Sequence, residues 1–203
     1  MRLDLTRAIL RLMHVNTVLR DYFLEFGEDV NVDANTPLLR AGEVAKYLYL
    51  IQSGAVRLCV RNAEGAETTV QFFFEDDMVC SLESMLSGCP SGLELITMEA
   101  CQLRVLDRDT VLTKFQSHAT MPSELLALTQ QRLVEYINLY TIAIAQTPTQ
   151  RYQAMLVSQP DKLARIPLHI LAGYLGVTPV HLSRIRRRLK SGPGITGVLN
   201  ICK

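Results

Sequence analysis

The stretch Leu168–Arg187 reads LHILAGYLGVTPVHLSRIRR and decides the fold of the C-terminal part of the chain. Ala172 is followed four residues later by Gly176, and Leu182 follows six residues after that glycine. A small residue lets two helices cross closely, a glycine lets the backbone turn, and branched apolar residues hold the second helix on the first. This spacing predicts a helix-turn-helix. An ordinary αα-hairpin with solvated basic residues is the alternative.

The second predicted helix is strongly basic, which suits it to the phosphates of duplex DNA. Thr178 is the expected N-cap and Pro179 fits the first turn, which faces the major groove in such proteins. Val180 is suited to contact a thymine methyl group. His181 is either a phosphate or base contact or an exposed residue without a role. The basic residues cannot all face one way, so some are expected on phosphates and others in solvent. The candidate DNA contacts are Thr178, Pro179, Val180, His181, Ser183, Arg184, Arg186, Arg187, Arg188 and Lys190.

Charge is divided unevenly between two parts of the chain. Residues 1–146 contain 12 Lys or Arg and 19 Asp or Glu, a net charge of −7. Residues 147–203 contain nine Lys or Arg and one Asp, a net charge of +8. A small basic part joined to a larger acidic part is typical of a DNA reader attached to a second module. The acidic part repels the phosphate backbone and so keeps the basic end towards the DNA.

The composition is that of a globular protein, with 48% apolar and 20% charged residues among 203. No apolar run reaches the ~20 residues that a transmembrane helix needs. Residues 1–16 carry charges throughout, which predicts an amphipathic helix rather than a signal peptide, and hence a cytoplasmic protein. The five cysteines include no CxxC pair or Cys/His cluster, so no disulfide framework or metal site is predicted. We favour the view that the cysteines act as small apolar side chains within strands. A redox switch or a ligand of a metal cluster is the alternative.

Residues 36–106 read as an all-β segment. Short strand-like runs alternate with turns that contain glycine, which is typical of a sandwich, a jelly roll or a small barrel. Within residues 55–61 the apolar and charged residues partly alternate, so Val56 and Leu58 are expected on one face and Arg57 and Cys59 on the other. The predicted strands are Tyr47–Gln52, Ala55–Arg61, Thr68–Phe74 and Cys101–Leu106.

From about Pro122 the apolar residues follow a helical period. Two apolar strips run along this segment, and one of them is expected to lie on the β segment. The other strip requires either a second copy of the same helix or burial within one chain, and we favour self-association. The candidate dimer residues are Leu126, Leu133, Ile137, Tyr140 and Ile144, and the second strip is Leu125, Leu128, Leu139 and Ile142.

The sequence Thr147-Pro148-Thr149-Gln150 predicts a helix start, with a capping threonine, a proline at the first helical position and a glutamine at the third. One helix therefore ends and another begins here, which makes this the expected domain boundary and hinge. A short helix follows over Arg151–Val157, and residues 195–201 are a candidate wing strand. The expected domains are 1–120, 121–146 and 147–203.

Three stretches occur in an order that covers nearly the whole chain: LLRAGE at 38–43 with YLYLIQSG at 47–54, then FFFEDD at 72–77 with SLES at 81–84, and finally 166–189. The first resembles the opening of a cyclic-nucleotide-binding β-roll, and the second resembles the region around the small helix of its ligand pocket. The third resembles a winged helix-turn-helix. By their order and spacing, the chain resembles the Crp/Fnr (catabolite-activator) superfamily of bacterial transcription regulators.

The resemblance implies an α+β fold: an N-terminal β-roll sensor of the double-stranded jelly-roll, cupin-like type, a long dimerisation helix and a C-terminal winged helix-turn-helix. It implies a homodimer on a near-palindromic operator, with RNA polymerase as a further partner and a small molecule of unknown identity as effector. Arg184 matches a family position that reads a base edge. The implied effector-pocket candidates are Phe74, Ser81, Leu82, Glu83 and Ser91.

One departure from the family pattern concerns the phosphate of cyclic AMP. Members that bind this nucleotide carry an Arg-Ser or Arg-Thr pair after the pocket helix, whereas the corresponding place here reads Pro90-Ser91-Gly92. No arginine lies between Arg61 and Arg104. A buried phosphate without a guanidinium partner costs several kcal/mol. The chain therefore resembles a subgroup that lacks the phosphate arginine, and we expect no binding of cyclic nucleotides.

Catalysis is not expected. Cupin-type enzymes hold a metal with paired histidines in their β-barrel, but residues 36–106 contain no histidine, and no phosphate-binding loop or nucleophile arrangement is visible. In one alternative, the same scaffold responds to another metabolite or to haem, and Phe72, Phe73 and Phe74 line the pocket. A haem would need an axial ligand, for which His14, His118 and the cysteines are candidates by residue type alone. A helix-turn-helix kept for protein contacts is the other alternative, and the charge of +8 argues against it.

Overall fold

A computed structural model describes residues 20–62, 65–117 and 121–191. The side chains of residues 114–117, 121–125, 128, 190 and 191 lie outside that description. The predicted amphipathic helix at 1–16, the wing strand at 195–201 and the residues His14, His118 and Cys202 also lie outside the described residues. Among the described residues, none of the helices has the length and apolar character needed to cross a bilayer.

Eight strands form two antiparallel four-stranded sheets, with strand orders β1-β8-β3-β6 and β2-β7-β4-β5. We refer to residues 28–107, which carry these strands, as the β domain. Its strands are β1 (Glu28–Val32), β2 (Pro37–Leu39), β3 (Tyr47–Ser53), β4 (Val56–Arg61), β5 (Glu67–Phe73), β6 (Met78–Val79), β7 (Glu94–Thr97) and β8 (Cys101–Asp107). The helix α2 (Leu82–Ser87) lies between β6 and β7.

The core of the β domain is formed by apolar side chains from both sheets. Leu48 and Ile51 of β3 and Leu103 of β8 pack with Leu58 of β4 and Leu95 of β7 in one buried cluster. Burial of such a cluster provides the main driving force for folding, because it removes apolar surface from water. The helix at residues 20–26, α1, adds the fully buried ring of Phe23 to the same cluster.

The turn between β3 and β4 requires glycine. Gly54 has φ +104°, and an added Cβ would lie 2.7 Å from the carbonyl oxygen of Ala100 and 2.9 Å from Cα of Cys101. Both of these are backbone atoms, so the neighbouring chain would have to move to accept any larger residue. This close approach brings the β3–β4 turn against the start of β8.

The four strands predicted from sequence are all present, with ends shifted by one residue. The other four, β1, β2, β6 and β7, were not predicted, because they are two to five residues long and lack a clear alternation. The expected separation of faces in β4 is confirmed, since Val56 and Leu58 lie in the core cluster and Arg57 and Cys59 do not. Arg57 and Cys59 are nevertheless buried as well. Arg57 is satisfied there by Glu67 and by Thr69.

Within residues 108–117 and 121–191, six helices follow the β domain: α3 (Arg108–Ser117), α4 (Met121–Ala145), α5 (Pro148–Ser158), α6 (Pro160–Arg165), α7 (Leu168–Leu175) and α8 (Pro179–Ser191). The predicted start of α5 is confirmed, because the Thr147 side chain accepts a bond from the Gln150 N–H and the Gln150 side chain accepts one from the Thr147 N–H. The residues that lead from the long helix α4 into α5 are therefore 146 and 147.

The C-terminal helices α5–α8 pack on the β domain. A second apolar cluster contains Ala55, Phe74 and Met98 of the β domain together with buried residues of α5–α8, among them Tyr152, Leu163 and Ile166. We call this set the shared cluster. Helix α7 makes the most extensive contact and lies against β5.

Candidate nucleic-acid interface

Helices α7 and α8 meet as the sequence spacing predicts. Ala172 and Leu182 are fully buried, and Gly176 adopts the left-handed conformation with φ +69°. The Val177 N–H donates to the carbonyl of Ala172 at 3.0 Å and so closes the turn. The three residues therefore have the roles of close crossing, turn and apolar anchor, and Leu171, Leu175 and Ile185 complete the buried side of the pair.

The N-terminus of α8 is capped by Thr178. Its hydroxyl oxygen accepts a hydrogen bond from the His181 N–H at 3.2 Å, and its carbonyl accepts one from the Leu182 N–H at 3.0 Å. Pro179 is the first residue of the helix and has no N–H to leave unsatisfied. This geometry confirms the predicted helix start.

One side of α8 is buried and the other is exposed to solvent. Leu182 and Ile185 face α7, whereas Val180 is 62% exposed although it is apolar. The exposed side brings together most of the candidate DNA contacts, namely Thr178, Pro179, Val180, His181, Ser183, Arg184, Arg187 and Arg188. The side chain of Lys190 lies outside the described residues.

Arg186 does not share this exposed side. Its guanidinium lies 5.6 Å from the centre of the buried Tyr152 ring in α5. Arg186 is itself half-buried, unlike the exposed arginines at 184, 187 and 188. The position of Arg186 on the helix directs it to an aromatic face of the neighbouring helix, where a cation–π contact stabilises it. Its contact with DNA stays a prediction.

Two residues that sequence reasoning missed support the pair α7–α8 from α5. Arg151 donates from Nη2 to the carbonyl of Leu175 at 2.7 Å, at the end of α7, where helix carbonyls lack partners. Tyr152 receives Arg186, as described. Both contacts join residues 24 or more positions apart, so no local pattern in the sequence marks them.

The expected effector pocket contains two serines that bond to each other. Oγ of Ser91 lies 2.9 Å from Oγ of Ser81 and 3.1 Å from the carbonyl of Leu93, and it accepts the Leu93 N–H at 3.0 Å. Both serines are buried. The neighbouring Ser84 donates to the carbonyl of Cys89 and accepts the Ala45 N–H. These hydroxyls are therefore satisfied by the protein itself, as buried polar groups generally are.

The remaining pocket candidates do not converge on these serines. Leu82 is half-buried and Glu83 is exposed. Phe74 belongs to the shared cluster, and its ring faces Lys162 and Arg165 of α6. Its assignment to the pocket is therefore corrected, because the chain turns after β5 and directs this ring towards the C-terminal helices.

A small cavity lies beside Ser81. A cavity between β2, β3 and β7 has a volume of about 10 Å³ and is lined by Leu38, Leu39, Ala45, Lys46, Tyr47, Tyr49, Ser81 and Leu95. Such a volume holds one water molecule at most. Burial raises the pKa of Tyr49 to about 12, so its phenol stays protonated and donates to the carbonyl of Leu38.

No group of three or more His, Cys, Asp or Glu residues within 20–62, 65–117 and 121–191 is arranged to hold a metal ion. Three of the four described cysteines are held as protonated thiols. Burial raises the pKa of Cys80 to about 12 and also raises the pKa values of Cys59 and Cys101. Cys89, after the end of α2, is exposed.

Thiol labelling should follow this division. We expect iodoacetamide at pH 8 to modify Cys89 much faster than Cys59, Cys80 or Cys101, because the thiolate is the reactive species and burial suppresses it. Peptide mass spectrometry of the folded protein at successive times measures each site, and the unfolded protein gives the reference rates. Equal rates at Cys89 and Cys80 in the folded protein would contradict the prediction.

One side of α4 is fixed to the β domain. Arg132 donates from Nη2 to the carbonyl of Met78 at 2.8 Å, and its guanidinium lies 5.7 Å from the ring centre of Phe73. The predicted dimer strip faces away from this contact. Its residues are between 53% and 69% exposed: Leu126, Leu133, Ile137, Tyr140 and Ile144. Val134 and Tyr136, which the sequence analysis did not include, are exposed as well.

Comparison with known proteins agrees with this architecture. Residues 29–118 match the sequence profile of the cyclic nucleotide-binding domain family. A search of curated protein sequences finds no match to the chain. Many solved structures are similar, and several of them cover most of the chain, including the following three.

The structure of FixK2 from Bradyrhizobium japonicum has a TM-score of 0.72 and 19% identity, over 84% of this chain and 89% of that one. The c-di-GMP-responsive global regulator CLP of Xanthomonas campestris has a TM-score of 0.67 and 18% identity, over 86% and 94%. The catabolite activator protein of Thermus thermophilus has a TM-score of 0.51 and 24% identity, over 85% of each chain. The chain thus combines a match to the cyclic nucleotide-binding domain over residues 29–118 with the overall fold of these regulators.

Proposed function

We propose that the protein is a homodimeric, sequence-specific DNA-binding transcription regulator of the Crp/Fnr type, acting in the cytoplasm and with no catalytic activity. The observation that carries this proposal is the exposed side of α8. It presents Arg184, Arg187 and Arg188 together with the exposed apolar Val180, on a helix that is anchored to α7 by its opposite side. A second helix held in this way is the element that enters the major groove in helix-turn-helix proteins.

The contacts divide into two kinds. Arg184, near the N-terminus of α8, is assigned to a base edge, where arginine bonds guanine at two points. Val180 is assigned to a thymine methyl group. Arg187 and Arg188 follow in the next turn and are assigned to phosphates, as are the hydroxyls of Thr178 and Ser183. Arg186 stays a predicted contact without an assigned kind, because its guanidinium faces Tyr152.

The exposed strip of α4 supports the dimer. Five apolar residues at helical spacing, each more than half exposed, form a continuous apolar stripe along a helix of 25 residues. Apolar patches of this kind mark association sites on soluble proteins. Pairing with the same helix of a second chain covers the stripe on both protomers, and a twofold dimer reads a near-palindromic operator.

Selection of bound duplexes from random DNA tests the function directly. The purified full-length chain should enrich one sequence arranged as two inverted half-sites, with centres about one helical turn or a multiple of it apart. The matched control is the variant Val180→Asp, which places a negative charge on the exposed side of α8 without touching its buried side. Absence of enrichment for the unaltered chain at low salt would refute the proposed function.

For the sensor we propose that the β domain does not bind cyclic AMP. Residues 90–92 read Pro-Ser-Gly at the place of the family's Arg-Ser pair, and no arginine lies between Arg61 and Arg104. The hydroxyl of Ser91 is already bonded to Ser81 and Leu93. The regulator CLP shares this fold and responds to c-di-GMP, so the fold is compatible with effectors other than cyclic AMP. The same scaffold responding to another small ligand is therefore the second candidate function.

Isothermal titration calorimetry tests this sensor assignment. We expect no measurable heat when cyclic AMP or cyclic GMP is added up to ~1 mM, because a buried phosphate would lack a guanidinium partner. Binding in the micromolar range to this chain would show that the assignment is wrong.

A further inference from the structure

The C-terminal helices are attached to the β domain at one specific place. Phe74, at the end of β5, is 4% exposed and is buried in the shared cluster. Beside it, the rings of Phe72 and Tyr174 of α7 lie 5.0 Å apart between their centres. The helix pair that carries α8 is thus held against the outer side of β5 by aromatic contacts.

Arg165, the last residue of α6, adds a polar contact at the edge of this apolar one. Its Nη1 and Nη2 each lie 2.8 Å from an oxygen of Glu75, in a two-point arrangement, and its Nε donates to Glu99 at 3.1 Å. The same guanidinium lies 5.3 Å from the ring centre of Phe74. Glu75 is held in place by the Gly54 N–H at 2.9 Å.

This contact orients the C-terminal helices more than it stabilises the fold. The three ionic side chains are each about one-third exposed, so each pair taken alone contributes little to stability. A guanidinium that bonds one carboxylate at two points, contacts a second and covers an aromatic ring has a fixed orientation. The bonds from Arg165 lower the pKa of Glu75 to about 2, so the contact stays ionised throughout the physiological range.

In this attached position the exposed side of α8 faces solvent. Val180 is 62% exposed, and Arg184, Arg187 and Arg188 are exposed in the same arrangement. By contrast, the covalent link from α4 to α5 passes through residues 146 and 147 alone. Without a further contact, the C-terminal helices would be free to pivot at that link relative to α4.

We propose that Phe74, Glu75, Glu99 and Arg165 form a domain latch that fixes α8 relative to α4, and thereby sets the half-site separation that the dimer accepts. This inference rests on the proposed function. Two rigidly placed recognition helices match one separation, whereas two helices on pivoting domains match several. Arg165 is therefore a positioning residue, because it contacts the β domain of the same chain rather than the DNA.

The test uses the double variant Glu75→Gln/Glu99→Gln in the full chain, with the selected operator and versions lengthened or shortened between the half-sites by one to three base pairs. The unaltered chain should prefer the native separation by about tenfold or more, since avidity depends on geometry. The latch variant keeps the apolar contacts of the shared cluster, so its preference for the native separation should fall to about threefold rather than vanish. It should bind a single half-site as well as the unaltered chain does.

The matched control is Glu25→Gln/Glu28→Gln, which removes the same charge from exposed positions in α1 and at the start of β1. It should retain the preference for one separation. Arg165→Lys keeps the charge but loses the two-point bond, so it should loosen the preference as well, and it provides the test if the double glutamine variant does not fold. Circular dichroism and thermal unfolding establish folding for each variant.

The outcomes separate the two proposals. If the unaltered chain binds no duplex, the proposed function fails. If it binds, but without preference for one separation, or if Arg165→Lys and the double glutamine variant keep the full preference, the latch is refuted while DNA binding stands.

Discussion

A chain with Leu133→Glu and Ile137→Glu should be monomeric and should lose most of its affinity for a two-half-site operator. Both residues are more than half exposed in the single chain, so the substitutions should leave its fold intact. In the proposed dimer they remove apolar burial worth roughly 1.5–3 kcal/mol per side chain and place four carboxylates in one interface. A monomer can contact only one half-site, so its affinity for the operator should be lower by about a hundredfold or more.

Analytical ultracentrifugation measures the oligomeric state, and fluorescence anisotropy with the operator measures affinity. The matched control is Asn138→Glu/Ala145→Glu, which adds the same charge on exposed positions of α4 about a third of a turn away from the apolar strip. This control should remain dimeric. A dimeric L133E/I137E chain with unchanged affinity would show that α4 is not the dimer helix.

Replacement of Arg184 by alanine should relax the base preference of the protein. A two-point bond from arginine to guanine is worth about 1–3 kcal/mol of discrimination at each half-site, and the two half-sites of a palindrome both lose it. Arg187→Ala should instead weaken binding to all sequences alike and should reduce the dependence of affinity on salt, because a phosphate contact releases counterions.

Binding to the selected operator, to single-base variants of it and to random DNA, each at several salt concentrations, separates these effects. Arg186→Ala is the internal comparison, two residues away from Arg184. Because its guanidinium covers the Tyr152 ring, its loss should lower the temperature of unfolding and leave base preference unchanged. If Arg184→Ala weakened specific and random DNA equally, the assignment of Arg184 to a base would be wrong.

Local features of the sequence predicted local features of the structure. The spacing of Ala172, Gly176 and Leu182 predicted the α7–α8 pair, because each residue has a role that depends on near neighbours in the chain. The capping box at Thr147 and Gln150 predicted the start of α5 for the same reason. The exposed strip of α4 followed from its helical period.

Features that depend on distant parts of the chain were not predictable in this way. Phe74 was assigned to the ligand pocket by its position in a motif, but a turn after β5 directs it to helices more than 70 residues further along. Glu75 and Arg165 are 90 residues apart, and no pattern relates them. The short strands β2 and β6 depend on pairing with partners elsewhere in their sheets, so their own few residues carry little signal.

The shared cluster makes the unfolding of the two parts of the chain cooperative. Tyr152, Leu163 and Ile166 are buried partly by Ala55, Phe74 and Met98 of the β domain. A fragment that began at residue 147 would expose these side chains to water and would lose part of its own core. The C-terminal helices are therefore not an autonomous folding unit: heat or denaturant should melt them together with the β domain in one transition.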